Sequence, residues 1–560
     1  MNLVQEIYQQ VKQRLQQAVA ECQSQGKLQI SHLPGFVVEV PREKQHGDLA
    51  TNLALVLARE VRRPPREIAE LIVEYFDRRD TWIDDIQIAG PGFINFTLAS
   101  GWLYAVLPVI EAEGEAYGRN DLGRGQRIQV EFVSANPTGL LHMGNARGAA
   151  LGDTLANLLA ASGYKVTREF YINDAGHQIE NFALSVEARY LQLLGQDAKV
   201  PDDGYHGEDL VETMQHLVAE VGDRYLEASP SERRRALTEY ALREKLAHIR
   251  RVLEEFRVKY DVWFSEQSLH DSGAVEEAVK QLTERGYTYE QDGALWFRAS
   301  RFGDVKDEVL VRSNGQPTYF AADIAYHLNK FQRGFDRVIN VWGADHHGHV
   351  ARMHAAMEAL GQDPGRLEVI LMQLVRLFSG GEILRMSKRT GQYVTLEELI
   401  QEVGVDAARY FFLMRSADSH LDFDLDLAKQ ESSDNPVYYV QYAHARIASI
   451  LRQASRDGIE IPKAADTDLE VLKHPAELAL MRQLADFPEV VAGAARALEP
   501  HRLPRYAYDL ASYFHGFYTE CRVLGEEPSL QKARLVLIKA TKIVLRNVLG
   551  LMGVQAPERM

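Results

Sequence analysis

Residues 131–153 read EFVSANPTGLLHMGNARGAALGD. The stretch begins as the end of an apolar strand, turns at Pro137-Thr138-Gly139, and becomes small, glycine-spaced and helical, with His142 at the junction. Upstream, IQVEFV (128–133) completes the strand. Downstream, a helical pattern runs over 145–162 to Gly163, and VTREFYI (166–172) is a second strand. Strand, crossover helix and second strand make a βαβ unit. That unit predicts a doubly wound parallel sheet, which binds its ligands beyond the carboxyl ends of the strands. A helix starting near Gly144 presents unpaired N–H groups and partial positive charge, which suits phosphate. Gly144, Gly148 and Gly152 recur at four-residue steps and leave a bare stripe on one helix face. Gly144 is expected to let a flat base lie on the backbone, and the other two to let the helix approach the sheet. His142 is placed to donate to a phosphate oxygen where negative charge builds up. The stretch contains neither of the better-known phosphate loops, GxxxxGKS/T and GxGxxG.

A second unit of the same kind lies at 336–378: the strand RVINVWG, the helix HVARMHAAMEAL ended by Gly361, and LEVILMQLVRLF, read as one buried strand. Between the halves, 179–285 is mostly charged helix and is expected to be an insertion. A hairpin follows, GALWFR…EVLVRSNGQPTYF, with Asn314-Gly315 as its expected turn. Before the first unit, FVVEV (36–40), a helical LATNLALVLARE (49–60) and DIQIAGPGFINFTL (85–98) describe an α+β module, joined by the polar linker YGRNDLGRGQR (117–127). After 430, apolar residues recur at three- and four-residue steps. The prediction is a multidomain α/β protein. It has a split doubly wound, Rossmann-like parallel-sheet catalytic domain over 116–430, an N-terminal α+β module over 1–115 and a C-terminal all-α bundle over 431–560.

Length alone requires several domains, because single cores stop growing at about 250–300 residues. The net charge, 63 − 79 = −16, excludes a simple basic nucleic-acid coat but leaves room for a local basic face. Cys22 and Cys521 lie almost a chain length apart and no CxxC pair exists, which argues against a disulfide framework or a zinc ribbon. No run of about 18 apolar residues is present, and the first helix carries charge throughout. A reducing cytoplasm is the expected location, with no membrane partner.

Two further runs carry chemistry. LRMSKRTGQYVTLEELI (384–400) follows the last sheet strand after Gly380-Gly381, and places Lys388 in a polar stretch where a cation could swing onto a triphosphate. GADHHGH (343–349) crowds Asp345, His346, His347 and His349 into five positions. Read blind, this invites a metal site. Because the run ends a strand and opens a helix at the sheet's ligand edge, substrate contact is the favoured reading, and no zinc is expected.

The His-Met-Gly-Asn run and the Arg-Met-Ser-Lys-Arg run, in this order, resemble the paired signatures of class I aminoacyl-tRNA synthetases. Their contexts, with YINDAGHQI, PTYFAADIAYH, GADHHGHV, NPVYYVQYAHARI and the terminal GVQAPERM, resemble bacterial arginyl-tRNA synthetases from HGDLATN to the last residue. The resemblance implies ATP-dependent ligation of L-arginine to tRNA(Arg) through an arginyl-adenylate, with Mg2+ accompanying ATP and the 2′-hydroxyl of the terminal adenosine as first acceptor. It implies catalytic roles for His142, Asn145 and Lys388. ATP contacts are expected from those three and from Gly144, Gly343, Asp345, His349, Met386 and Ser387. Arginine contacts are expected from Glu131, Ser134, Asn136, Tyr319, Asp323 and His346. Tyr319 and Asp323, four apart on a helix, share a face and would hold the guanidinium, whose planar fork matches a carboxylate. Tyr439, Tyr442, Tyr518 and Met560 are the expected tRNA contacts, the tyrosines by stacking on splayed anticodon bases. The N-terminal module resembles one that touches the tRNA elbow, and relatives suggest a monomer.

Two departures stand out. Asn145 occupies the place of a second histidine, and asparagine can donate but cannot be protonated. Arg385 and Arg389 replace the outer lysine and serine of the second signature, which keeps that run cationic.

Overall fold

The computed structural model describes residues 3–41, 43, 46–384 and 394–560. Elements of the catalytic unit are numbered within it. Its sheet has five parallel strands, β1 (Arg127–Glu131), β2 (Lys165–Ile172), β3 (Val262–Ser265), β4 (Arg337–Gly343) and β5 (Leu367–Met372), in the order β5-β4-β1-β2-β3. Ile128, Val130, Val338 and Ile339 are fully buried in its middle, as a parallel sheet covered on both faces requires. The chain winds outward from β1 in one direction and resumes at β4 in the other. The switch point of the fold therefore lies between the carboxyl ends of β1 and β4.

The helix α1 (Met143–Ala161) crosses from β1 to β2 and is buried along most of its length. A Cβ on Gly152 would lie 2.1 Å from the Phe132 ring, so this glycine does permit the close approach of helix and sheet. The same expectation for Gly148 is corrected: a Cβ there would meet Met372 at 3.6 Å, an ordinary contact.

Three other expectations change. The apolar run LEVILMQLVRLF is two strands. β5 ends at Met372, and Val375–Ser379 pairs instead with Glu382–Leu384 and, in parallel, with Leu421–Asp424. Continuous apolarity cannot report a change of partner; here the change falls at Gln373-Leu374, where Leu374 is exposed. The helical insertion is shorter than 179–285. Helices His177–Leu193, Glu208–Val221 and Pro230–Glu255 form their own core around Phe182, Tyr190, Met214 and Leu237, and the chain then returns to supply β3. A four-residue edge strand after a charged helix carries too little pattern to be read alone. Finally, the antiparallel element has three strands (Thr288–Gln291, Ala294–Phe297 and Glu308–Val311). Its tight turn is Asp292-Gly293, both at positive φ, while Asn314-Gly315 closes a later turn beneath the Val311–Pro317 bridge.

The N-terminal module packs the helices Leu3–Ser24, Leu53–Val61 and Pro65–Glu74 on a four-stranded antiparallel sheet, in which FVVEV contributes only Val38–Glu39. LATNLALVLARE begins as strand Leu49–Thr51 before turning helical. The C-terminal region is a bundle of Pro436–Arg456, Pro475–Ala497, Arg502–Glu520 and Pro528–Leu551; three of these start with proline, whose missing N–H is harmless in a first turn. Among the described residues, no helix is long and apolar enough to cross a membrane.

Candidate active site at the sheet edge

The chain leaves β1 through a strained turn. The Ser134 N–H donates to the Phe132 carbonyl at 3.0 Å, with Val133 between them at φ 68° and Ser134 itself at 41°. A β-branched residue in this region is costly, and such strain gathers where geometry matters. The turn is pinned on both sides: Ser134 Oγ donates to Glu131 Oε1 at 2.9 Å and accepts from the Tyr171 N–H of β2 at 3.1 Å. Asn136 Nδ2 donates to Gln178 Oε1 at 2.8 Å.

Beneath this turn lies a buried polar network that sequence reasoning missed. Lys330 on α2 (Tyr319–Gln332) is 0% exposed. It donates to Glu131 Oε2 at 2.5 Å and to Asn340 Oδ1 at 2.9 Å, and its Nζ lies 4.2 Å from the Tyr326 ring centre. Lysine only donates, so Asn340 must offer its amide N–H to His327 Nε2, 2.7 Å away. His327 then carries its proton on Nδ1 and gives it to the Asp323 carbonyl at 2.7 Å. Burial, and then the nearby Lys330 charge, hold His327 well below the usual histidine range, so it is neutral. Glu169 alongside is buried, which works against its charge, but two hydrogen bonds from Arg333, the Lys330 charge and the Tyr326 hydroxyl outweigh this and lower its pKa. Glu131 thus meets Lys330 and Ser134, and its reach toward a ligand runs through Ser134. The blind spot is understandable, because a lysine on a helix is almost always solvated.

The first residues of α2 line a cleft of about 290 Å³ with Gly176, His177, Glu180, Glu266 and His270. Tyr319 is exposed beside Gly176, and Asp323, one turn on, meets His349 Nε2 at 3.0 Å. Glu266 was not expected. It follows β3 at the same carboxyl edge, is only 3% exposed, and has its pKa raised to about 7 by burial and by the neighbouring Asp323 and Asp174. Among the described residues, its ion-pair partner is His270 at 3.8 Å, and that of Asp323 is His349. The Tyr171 hydroxyl is buried close to Glu266, short of a well-formed hydrogen bond. The carboxyls of Glu180 and Glu266 and the Tyr319 phenol line this cleft, a set that suits a planar cation with several donors. The signal that could have found Glu266 is its place near the end of the stretch VWFSEQ (262–267), had β3 been recognised as a sheet strand.

On the other side of the β1 turn, His142 is the N-cap of α1. Its Nδ1 accepts from the Gly144 N–H at 3.1 Å, and Asn145 Oδ1 accepts from the His142 N–H at 3.0 Å, a reciprocal capping box. A neutral ring accepting at Nδ1 carries its proton on Nε2, and Asn145 keeps Nδ2 as its donating end. Thr395 bridges to His142, and the Leu396 N–H donates to the Leu141 carbonyl at 2.8 Å. The helix α4 (Leu396–Leu413) therefore starts against the signature turn. Met386, Ser387 and Lys388, with Arg385 and Arg389, lie outside the described residues.

The GADHHGH run divides. After Gly343, the last residue of β4, Asp345 and His346 are exposed and lie 3.8 Å apart, with His346 near Trp342. His349, on α3 (His347–Ala359), faces Asp323, 3.0 Å away. Among the described residues, no group of three or more His, Cys, Asp or Glu side chains could hold a metal ion.

In the C-terminal bundle, Tyr439 and Tyr442 are half-buried and belong to a surface cluster. Tyr442 stacks on Tyr438, Tyr439 lies 5.0 Å from Tyr508 and 4.6 Å from His515, and Arg446 covers both Tyr442 and Tyr518. Tyr508, on the same helix as Tyr518, is 41% exposed. The last residues run along Pro436–Arg456, with His444 bonded to the Pro557 carbonyl and Arg452 to that of Glu558, and end at an exposed Met560.

Comparison with known proteins matches this arrangement in three consecutive pieces. Residues 107–420 match the class I tRNA synthetase (R) catalytic domain, 6–98 the arginyl tRNA synthetase N terminal domain, and 440–560 the DALR anticodon binding domain. The sheet and its site are therefore those of a class I tRNA synthetase. Among solved structures, Thermus thermophilus arginyl-tRNA synthetase shares the fold with a TM-score of 0.74 at 24% identity, covering 99% of this chain and 100% of that one. Arginine–tRNA ligase of Moorella thermoacetica is 65% identical over 560 residues and that of Caldanaerobacter subterraneus 56% identical over 560, each covering 100% of both chains. The chain belongs to the arginyl-tRNA synthetase family.

Proposed function

We propose that the cleft between the segments after β2 and β3 and the start of α2 holds L-arginine while the first turn of α1 holds ATP, and that the enzyme uses the two to charge tRNA(Arg). The observation that supports this reading is the pairing of a cleft lined by Glu180 and Glu266 with a helix start capped by His142, on either side of one strained turn. The arginine carboxylate attacks the α-phosphorus of ATP, and pyrophosphate leaves. A ribose hydroxyl of the terminal adenosine of tRNA, the 2′-hydroxyl first, then takes the arginyl group and releases AMP. Such chemistry needs alignment and charge neutralisation more than a covalent nucleophile.

Asp323, Glu266 and Tyr319 are assigned the guanidinium, and Ser134 and Asn136 the α-amino and carboxylate end, with Glu131 orienting Ser134. His142 Nε2–H and Asn145 Nδ2–H are assigned to phosphate oxygens, Gly144 to adenine, and Asp345 and Gly343 to the ribose. His349 holds Asp323, and His346 stays at the amino-acid side. Lys388, with Met386 and Ser387, supplies the opposing cation, and Mg2+ enters with ATP. Tyr439, Tyr442, Tyr508, Tyr518 and Met560 form the anticodon-facing surface. A cytoplasmic location fits the cysteine-poor chain, and a monomeric state is part of the same proposal.

Arginine-dependent ATP–pyrophosphate exchange, run with and without tRNA and with lysine as control, tests the proposal. Exchange with arginine and not lysine is expected. No exchange with arginine even when tRNA is present overturns it.

A further inference from the structure

Arg147 lies one turn into α1 and is 0% exposed. Its Nη1 donates to the Gln373 carbonyl at 2.7 Å and its Nη2 to the Ser416 carbonyl at 2.8 Å. Its Nε is buried with no hydrogen-bond partner among the described residues. The acid whose charge it feels is Asp418, which is exposed, and burial pulls the guanidinium down to about 10. The contrast with Arg409 is direct. That arginine is equally buried, but it meets Asp153 at 2.5 Å and donates to two carbonyls besides. A buried cation without a counter-charge weakens a fold relative to an apolar side chain of the same size, so stability alone does not account for Arg147.

Its two carbonyl partners explain it better. Gln373 is the point where the chain leaves the parallel sheet after β5, and Ser416 follows α4. The Gln373 N–H also donates to the Ala417 carbonyl at 2.9 Å, so Arg147 closes a junction already made. From this junction the parallel pair Val375–Ser379 and Leu421–Asp424 departs. The opposite end of α4 is held against Leu141 and His142. One planar fork on the signature helix thus grips the strand exit and the far side of α4 together, its two donors fixed in one plane where an ammonium's three would rotate.

We infer that Arg147 is a positioning residue for arginine activation, holding the phosphate-facing turn His142–Asn145 in register with the strand pair that leaves the sheet at Gln373. The inference rests on the function proposed above. Arg147→Met and Arg147→Lys test it in the full-length enzyme with tRNA present, by counting active sites from the adenylate burst and measuring steady-state exchange. The expected result for Arg147→Met is a melting temperature equal to or above that of the parent. Its kcat per active site should fall on the order of 100-fold, as expected for a misalignment of about 1 Å. KM for arginine should stay within twofold, since the arginine cleft is supported separately by Lys330 and Asn340. Arg147→Lys is expected to fall between. Parent-like kcat per active site in Arg147→Met, with only fewer active sites or a lower melting temperature, overturns the inference. If Arg147→Met does not fold, Arg147→Lys decides: a parent-like kcat overturns, and a reduced kcat with unchanged KM for arginine supports. A parent enzyme inactive in exchange would refute the proposed function itself.

Discussion

Replacing Lys330 by methionine keeps the volume and removes the charge at the centre of the buried network. Three interactions go: the ion pair with Glu131 at 2.5 Å, the hydrogen bond to Asn340 at 2.9 Å, and the contact with the Tyr326 ring at 4.2 Å. Glu131, 5% exposed, is left with Ser134 as its donor, and Asn340 loses the donor that fixes its orientation toward His327. Breaking a buried pair by removing one partner costs about 3–5 kcal/mol. The tally from below agrees, at roughly 1.5–3 kcal/mol for the charged hydrogen bond and up to about 2 for a desolvated cation–π contact. Because the loss falls on one network within one domain, local opening is the more direct measurement. At about 1.4 kcal/mol per decade, amide exchange in β4 and α2 should quicken by about two to nearly four orders of magnitude, with the N-terminal and C-terminal domains unchanged. KM for arginine should rise, because the Asp323 turn is anchored through His327. Adding Glu131→Gln to Lys330→Met should recover part of the loss, since the stranded charge is then gone. Exchange within about tenfold of the parent in β4 and α2 would refute the claim that this pair organises the site.

Other predictions follow from the same geometry. Glu266, with a pKa raised to about 7, is largely protonated below neutrality and binds a cation best when ionised, so KM for arginine should fall as pH rises through 7. Glu266→Gln should flatten that profile, and an unchanged slope would remove Glu266 from the pocket. The sign for folding is the reverse: a carboxyl raised above its unfolded value makes the arginine-free fold lose stability as pH rises from about 4.5 to 7. Asn145→His should be tolerated, whereas Asn145→Ala removes both the cap on the His142 N–H and a phosphate donor and should slow activation by about 100-fold; equal exchange rates for the two would show Asn145 is not that donor. Tyr508→Ala and Tyr518→Ala should each weaken tRNA binding by about 1–3 kcal/mol while leaving KM for arginine alone, and parent-like tRNA affinity would assign these side chains to packing.

The sequence determined the sheet class, the order of the two βαβ units and the glycine-spaced helix after β1. These are written in local currency: apolar runs, a glycine at a fixed helical step, a capping residue beside its helix. That Tyr319 and Asp323 fall on one helix, a turn apart, was legible for the same reason. The turn of His349 toward Asp323 appears only once α2 and α3 are packed. The tertiary structure alone decided that Glu131 pairs with Lys330, 199 residues away. It alone placed Glu266 in the cleft, moved the strand after Met372 to another sheet, and brought Arg147 to the Gln373 and Ser416 carbonyls. Each of these depends on partners distant in the chain. A charged or polar residue carries no local sign of whether it will meet water, a counter-charge or a carbonyl, because that is set by which surfaces the folded chain closes over it.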